Sequence, residues 1–257
     1  MEATKKYELS NITIEFNGVT LHRIKALKDF SNVKAGDLGG WVEKEDNLSQ
    51  IDDAWIDENA KVYGNAQICG NVIVFDDAII YDNAKVYGNA HICNNAMVYD
   101  NAFVYGDVWV YGNAKVFGNA KVDGNAEVYG NAIIYDNAEV YGNAQICGKA
   151  QVFGNARIYD NAEIYGKSMV YGDAQVYGRA RISGDASVRC GADYIIFKNF
   201  WSSGRFFTWT RSNNMWSVGC FYGTGEELIR KAYKDSEKSG KEYEKIVRYV
   251  DSILADK

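Results

Sequence analysis

The chain has 257 residues, enough for one or two domains with a sizeable core, and a formal net charge of −6, which argues against a general binder of nucleic acid or anionic membrane. No apolar run approaches the roughly 18 residues of a membrane span and no signal peptide opens the sequence, so the cytoplasm is the expected compartment. Five cysteines (Cys69, Cys93, Cys147, Cys190 and Cys220) form neither a C-x-x-C pair nor a zinc spacing, and 25 Gly with no Pro suit many corners between strands whose amides are all needed.

Residues 1–52 are expected to form an N-terminal β cap. Ile12 to Phe16 and Val19 to Leu27 are rich in β-formers and are joined by Asn17-Gly18, the strongest short hairpin signal. A cap has a physical task here, because the first coil of any β-solenoid exposes strand edges that recruit other chains.

From Asp53 to Ala192 one six-residue unit, A-x-[VI]-[YFC]-[GD]-N, repeats without a break. Stepping by six from Ile56 to Val188 gives 23 aliphatic positions in phase, and Ala stands two residues before each except at Val72, Val108 and Ser168. Period six is no multiple of 3.6, which excludes an amphipathic helix. In a strand the Ala and the aliphatic residue share one face and the other two residues the opposite face. Gly-Asn or Asp-Asn then turns the chain, since these types accept positive φ. Three corners close a triangular coil, so residues 18 apart stack, and 23 hexads predict a parallel β-helix of about 7.7 coils, roughly 37 Å long at the strand spacing.

The outward residues distinguish the three faces. One carries an unbroken ladder, Tyr63, Tyr81, Tyr99, Phe117, Tyr135, Phe153 and Tyr171, beside the column Lys61, Ile79, Met97, Lys115, Ile133, Gln151 and Met169. It is the least polar face, and Ile79, Tyr81, Met97, Tyr99, Phe117, Ile133, Tyr135, Met169 and Tyr171 are the expected homo-oligomer interface of a dimer or trimer. The second face is apolar in its first half (Ile73, Phe75, His91, Cys93, Trp109, Tyr111), and the third is charged.

The repeat fails at Arg189-Cys190-Gly191, and residues 193–257 are expected to form a small α+β domain. Phe206 to Arg211 and Met215 to Cys220 are predicted strands, while Tyr194 to Phe197 is too short an apolar run to assign. Thr224-Gly225-Glu226-Glu227 is a capping box that opens a helix, Gly240 is expected to end it or separate it from the next, and Tyr243, Ile246, Val247, Val250, Ile253 and Leu254 keep helical spacing. The dense aromatics of 197–222 suit a compact core that seals the last coil. Trp201 to Arg205 and Arg211 to Asn214 suit binding loops instead, with Trp201, Arg205, Trp209, Arg211 and Trp216 as candidate partner-binding residues.

The unbroken hexads resemble the hexapeptide-repeat, or isoleucine-patch, β-helix superfamily, and that resemblance implies a left-handed coil. Asp29 to Val42, with Asn47-Leu48-Ser49, resembles the opening of uncharacterised hexapeptide-repeat proteins of bacteria and phages, some of them named as acyltransferases. The superfamily implies an acyl-CoA-dependent acyltransferase in which a histidine takes a proton from the acceptor. Only His22, in the cap hairpin, and His91 exist, so His91 is the one weak candidate base in the prism. The same fold's carbonic anhydrases need three histidines for zinc, which this chain cannot supply.

Uninterrupted hexads, few histidines and an apolar outer face together favour a non-enzymatic rod that presents its C-terminal domain to a protein partner. The phage-like cap suggests an accessory protein acting on a host defence system. No cofactor, metal, nucleic acid or membrane is expected as a ligand.

Overall fold

A computed structural model describes residues 5–201 and 203–255. The cap contributes β1 (Tyr7–Phe16), β2 (Val19–Ala26) and β3 (Leu38–Val42). Strands β4 to β26, of two to four residues each, run from Trp55–Ile56 to Ser187–Val188 at the predicted period. Each strand pairs in parallel with the strand three further on, as Met97 pairs with Lys115 and Val98 with Val116. The result is a parallel β-solenoid of about eight turns with three flat sheets.

All 23 inward aliphatics are at most 1% exposed, and so are the alanines beside them. Burying one such side chain contributes roughly 1.5–3 kcal/mol, whereas a stacked aromatic pair contributes about 0.5–1.5 kcal/mol, so the aliphatic column rather than the outer ladder holds the prism together.

Every hexad turns at a residue of positive φ, from Glu58 to Gly184. At several of the Asp corners the side chain has a second use. Asp100, Asp136 and Asp160 accept through Oδ2 from the amides of Gly118, Gly154 and Gly178, one coil on, at 3.0–3.1 Å. The Asn that follows builds a one-way ladder: the amide of Asn65 donates to Asn83, and so on through Asn155, which donates to Asp173.

The prism continues into the cap. Val42 pairs with Val62 and Leu48 with Ile68, both twenty residues apart instead of eighteen, and both are buried. Two extra residues between Leu48 and Ala54 shift the phase, which conceals this first coil in the sequence. The hairpin β1–β2 extends the same sheet as β3, so the ladder face is an eleven-stranded sheet.

The C-terminal region forms an antiparallel meander of β27 (Tyr194–Lys198), β28 (Phe206–Thr210), β29 (Met215–Val218) and β30 (Phe221–Gly223), followed by α1 (Gly225–Asp235) and α2 (Glu237–Ala255). The run from Tyr194, left unassigned by its length, is thus a full strand. Alternation divides the meander's two faces. Phe207, Trp209, Trp216 and Val218 pack with Leu228, Ile229, Val247 and Val250 of the helices in a core of their own. Thr208 and Ser217 point the other way and meet the last coil.

The capping box forms as expected, with Thr224 Oγ1 accepting from the Glu227 amide at 3.3 Å. The helix break lies at Ser236 rather than at Gly240, which sits inside α2. Gly240 is there for closeness, since a Cβ would stand 2.3 Å from the ring of Tyr233 on α1.

Candidate functional surfaces

On the second face, the strand His91–Ile92 lies between Ile73–Val74 and Trp109–Val110. The imidazole stacks on the Trp109 indole, with centroids 4.2 Å apart and planes within 4°. His91 Nδ1 lies 3.0 Å from the carbonyl of Asn89. A carbonyl only accepts, so this contact assigns the proton to Nδ1 and leaves the lone pair on Nε2. Among the described residues no carboxylate bonds the ring, and the Asn89 carbonyl is what fixes its orientation.

Beside it, Cys93, Trp109, Tyr111 and Glu127 line an open depression of about 300 Å³. Burial pushes the Cys93 thiol up to about 11, so it is no thiolate nucleophile near neutrality. The neighbouring Cys147 side chain, with burial, pushes the Tyr129 phenol well above its ordinary value. His22 lies apart in the cap, with Nδ1 3.3 Å from the carbonyl of Ser10. Among the described residues no group of three or more His, Cys, Asp or Glu is placed to hold a metal.

The ladder face has the geometry its sequence implies. The seven rings from Tyr63 to Tyr171 stack at 4.8–5.2 Å with planes within 5–9° of each other. Phe16 of the cap closes the first ring edge-on at 6.0 Å. Their faces are spent on one another, and what reaches outward is ring edge and phenol. Ile79, Met97 and Ile133 are half-buried and Met169 is exposed. Both helices pack on the far side of their own sheet, away from this strip.

The candidate partner-binding residues separate into two groups. Trp209 and Trp216 are each 2% exposed in the domain core, and Trp209 Nε1 donates to Asn214 at 2.8 Å. They offer no surface to a partner, because the strand alternation turns them toward the helices. Arg205 and Arg211 are exposed, and Trp201 is half-buried against Phe207 and Tyr243. Ser202 in the first loop lies outside the described residues. Missed by sequence reading was a cleft where the prism meets the domain, lined by Arg179, Arg181 and Arg205. Its signal was Arg179 standing where the repeat calls for Asn.

The comparisons with known proteins agree with this architecture. The family described as YdcK Beta solenoid repeat matches residues 66–82, 150–166 and 174–189. An Escherichia coli (strain K12) protein named "Uncharacterized acetyltransferase YdcK" is 40% identical over 76 residues, covering 26% of this chain and 23% of the relative. The match therefore spans less than a quarter of that protein. Period, register and these matches are consistent with a hexapeptide-repeat-like β-helix family.

Proposed function

We propose that this protein is a rigid, non-enzymatic binding rod that self-associates through its ladder face and presents its C-terminal domain to a macromolecular partner. The observation that carries the reading is the ladder face itself. Ile79, Met97, Ile133 and Met169 stand in a row beside seven stacked rings, uncovered by the chain's own helices. Contiguous apolar strips of this kind are uncommon on soluble monomers, and a second copy is the natural cover. Lys115 and Gln151 interrupt the row, which sets where two strips can register against each other. The cap's resemblance to phage proteins extends the reading to an accessory protein that acts in the cytoplasm on a host system. No helix among the described residues is long and apolar enough to cross a membrane.

Sedimentation of the parent and of a Met97→Lys, Ile133→Lys variant tests this. A parent that is dimeric or trimeric at micromolar concentration, and a variant that is folded but dissociated, support the rod. A monomeric parent ends the idea.

A second reading, an acyl-CoA-dependent acyltransferase, is favoured by the name of the E. coli relative and by the free Nε2 lone pair of His91. Thermal shift with acetyl-CoA discriminates, since a ligand at 100 times its dissociation constant stabilises a fold by about 2.7 kcal/mol. A clear shift would sink the non-enzymatic reading.

A further inference from the structure

The cleft between the last coils and the C-terminal domain collects positive charge in an acidic chain. It has a volume of about 410 Å³, within the range of pockets that take small ligands. Arg179 and Arg181 come from the prism wall and Arg205 from the loop before β28. Its one carboxylate, Glu163, is already matched by Arg181, whose Nε donates to it at 2.7 Å. The Arg181 guanidinium also donates to the carbonyl of Gly219. The side chain of Arg205 converges on the same residue, its Cζ 3.9 Å from where a Gly219 Cβ would stand. Among the described residues neither Arg179 nor Arg205 has a carboxylate partner.

The corner ladder supplies another donor. The amide of Asn125 donates to Asn143 and that of Asn143 to Asn161, at 3.1 and 3.4 Å. The next rung is Arg179, which has no acceptor to offer, so the Asn161 amide lines the cleft without a ladder partner among the described residues. Arg179 lies 5.5 Å from the Phe206 centroid, and Lys198 lies 5.8 Å from it. These contacts draw cations to the cleft rim.

We propose that this cleft is a binding site for a small ligand bearing a diphosphate, gripped by Arg179 on the prism and Arg205 on the domain. A guanidinium presents a planar fork that matches phosphate oxygens. Two such forks without carboxylate partners, one on each wall, suit an anion with two phosphoryl groups better than a single one. Arg181 and Glu163 neutralise each other and form the floor. A bound diphosphate would cross-link domain and rod. The inference is independent of the rod reading and of any acyl transfer.

Calorimetric titration of the full chain with inorganic pyrophosphate at low salt tests it. Saturable one-site binding is expected, weakened about tenfold by Arg179→Gln or by Arg205→Gln. Arg157→Gln, at an ion pair with Glu139 on the charged face and outside the cleft's lining, should leave it unchanged. Matching thermal midpoints for parent and variants would show that the fold persists, as expected for exposed side chains. Citrate separates phosphate recognition from general anion attraction, and a short single-stranded oligonucleotide separates a small ligand from a nucleic-acid backbone. The proposal is overturned by no saturable binding in the parent, by undiminished binding in the double variant, by citrate binding as tightly as pyrophosphate, or by the oligonucleotide displacing it.

Discussion

The ammonium of Lys6 donates to the carbonyl of Ala54 at 2.7 Å, inside the cap and 1% exposed. Ala54 precedes the outermost strand of its sheet, where no earlier coil supplies an amide. In this prism each amide donates to the coil ahead, as Trp55 donates to Val72 at 2.9 Å. One end of the rod therefore exposes carbonyls and the other exposes amides. The two caps answer in kind. Lys6 Nζ and the Tyr7 hydroxyl donate at the start, while Thr208 Oγ1 and Ser212 Oγ accept from the amides of Arg181 and Ser187 at the far end. Burial lowers Lys6 to about 8 despite the neighbouring Asp52, so this charge has a cost that its two carbonyl partners offset.

Lys6→Met keeps the volume and removes the donor, stranding the Asp52 and Ala54 carbonyls. Each stranded acceptor costs about 1–3 kcal/mol, and relief of the buried charge offsets part of it, so a loss of about 2 kcal/mol is expected. Urea unfolding measures it, and an unchanged midpoint would remove Lys6 from its capping role.

Val122→Asp places a carboxylate among fully buried aliphatics of the stacked coils. A loss of more than about 4 kcal/mol is expected, against a tolerated Val122→Ile. Circular dichroism with thermal melting decides; a folded aspartate variant with the parent's midpoint would contradict the inward column.

Stability should fall at high pH. Burial, reinforced by Tyr99 and Tyr63, pushes the Tyr81 phenol up to about 12, and burial also raises Tyr99 and Tyr135. The unfolded chain releases these protons from about pH 10, before the folded chain does. The contribution is thus complete below about pH 10 and is lost as pH rises toward 12. Urea midpoints at about pH 9 and about pH 11 should differ less in Tyr81→Phe than in the parent, and equal differences would exclude the ladder as the cause.

His91→Ala removes one stacked contact and should cost about 0.5–1.5 kcal/mol while leaving partner binding intact. Thiol release from acetyl-CoA with amine acceptors gives the complementary readout. Activity in the parent that disappears in a folded variant would establish the enzyme.

How far the sequence could be read depended on whether neighbouring positions shared a phase. From Ile56 to Val188 they do, so the inward column and the seven-ring ladder were legible residue by residue. At Leu48 the phase slips by two and the pattern vanishes, although the residue is as buried as those beyond it. The alternation Phe207, Thr208, Trp209, Thr210 held the orientation of the C-terminal sheet in plain view. Counting aromatics instead of placing them made Trp209 a surface residue. Gly240 misled because two different needs select glycine: a helix end requires its conformational freedom, whereas here the ring of Tyr233 requires the missing Cβ. The cationic cleft joins residues from the prism and the later loop, a proximity that no local pattern encodes.

Because three hexads make one coil, the rod has a grammar of length. Loss of eighteen residues, such as 97–114, would shorten it by one rung and leave every column in line. Loss of a single hexad would carry everything downstream to the neighbouring face, the C-terminal domain included. A scar between Tyr63 and Tyr171 would sever the seven-ring stack, and one between Asn161 and Arg179 would put those two on different edges. Replication slippage can therefore resize this molecule safely in one step size only. The two-residue slip beyond Leu48 is tolerated where it occurs because only the cap lies upstream of it.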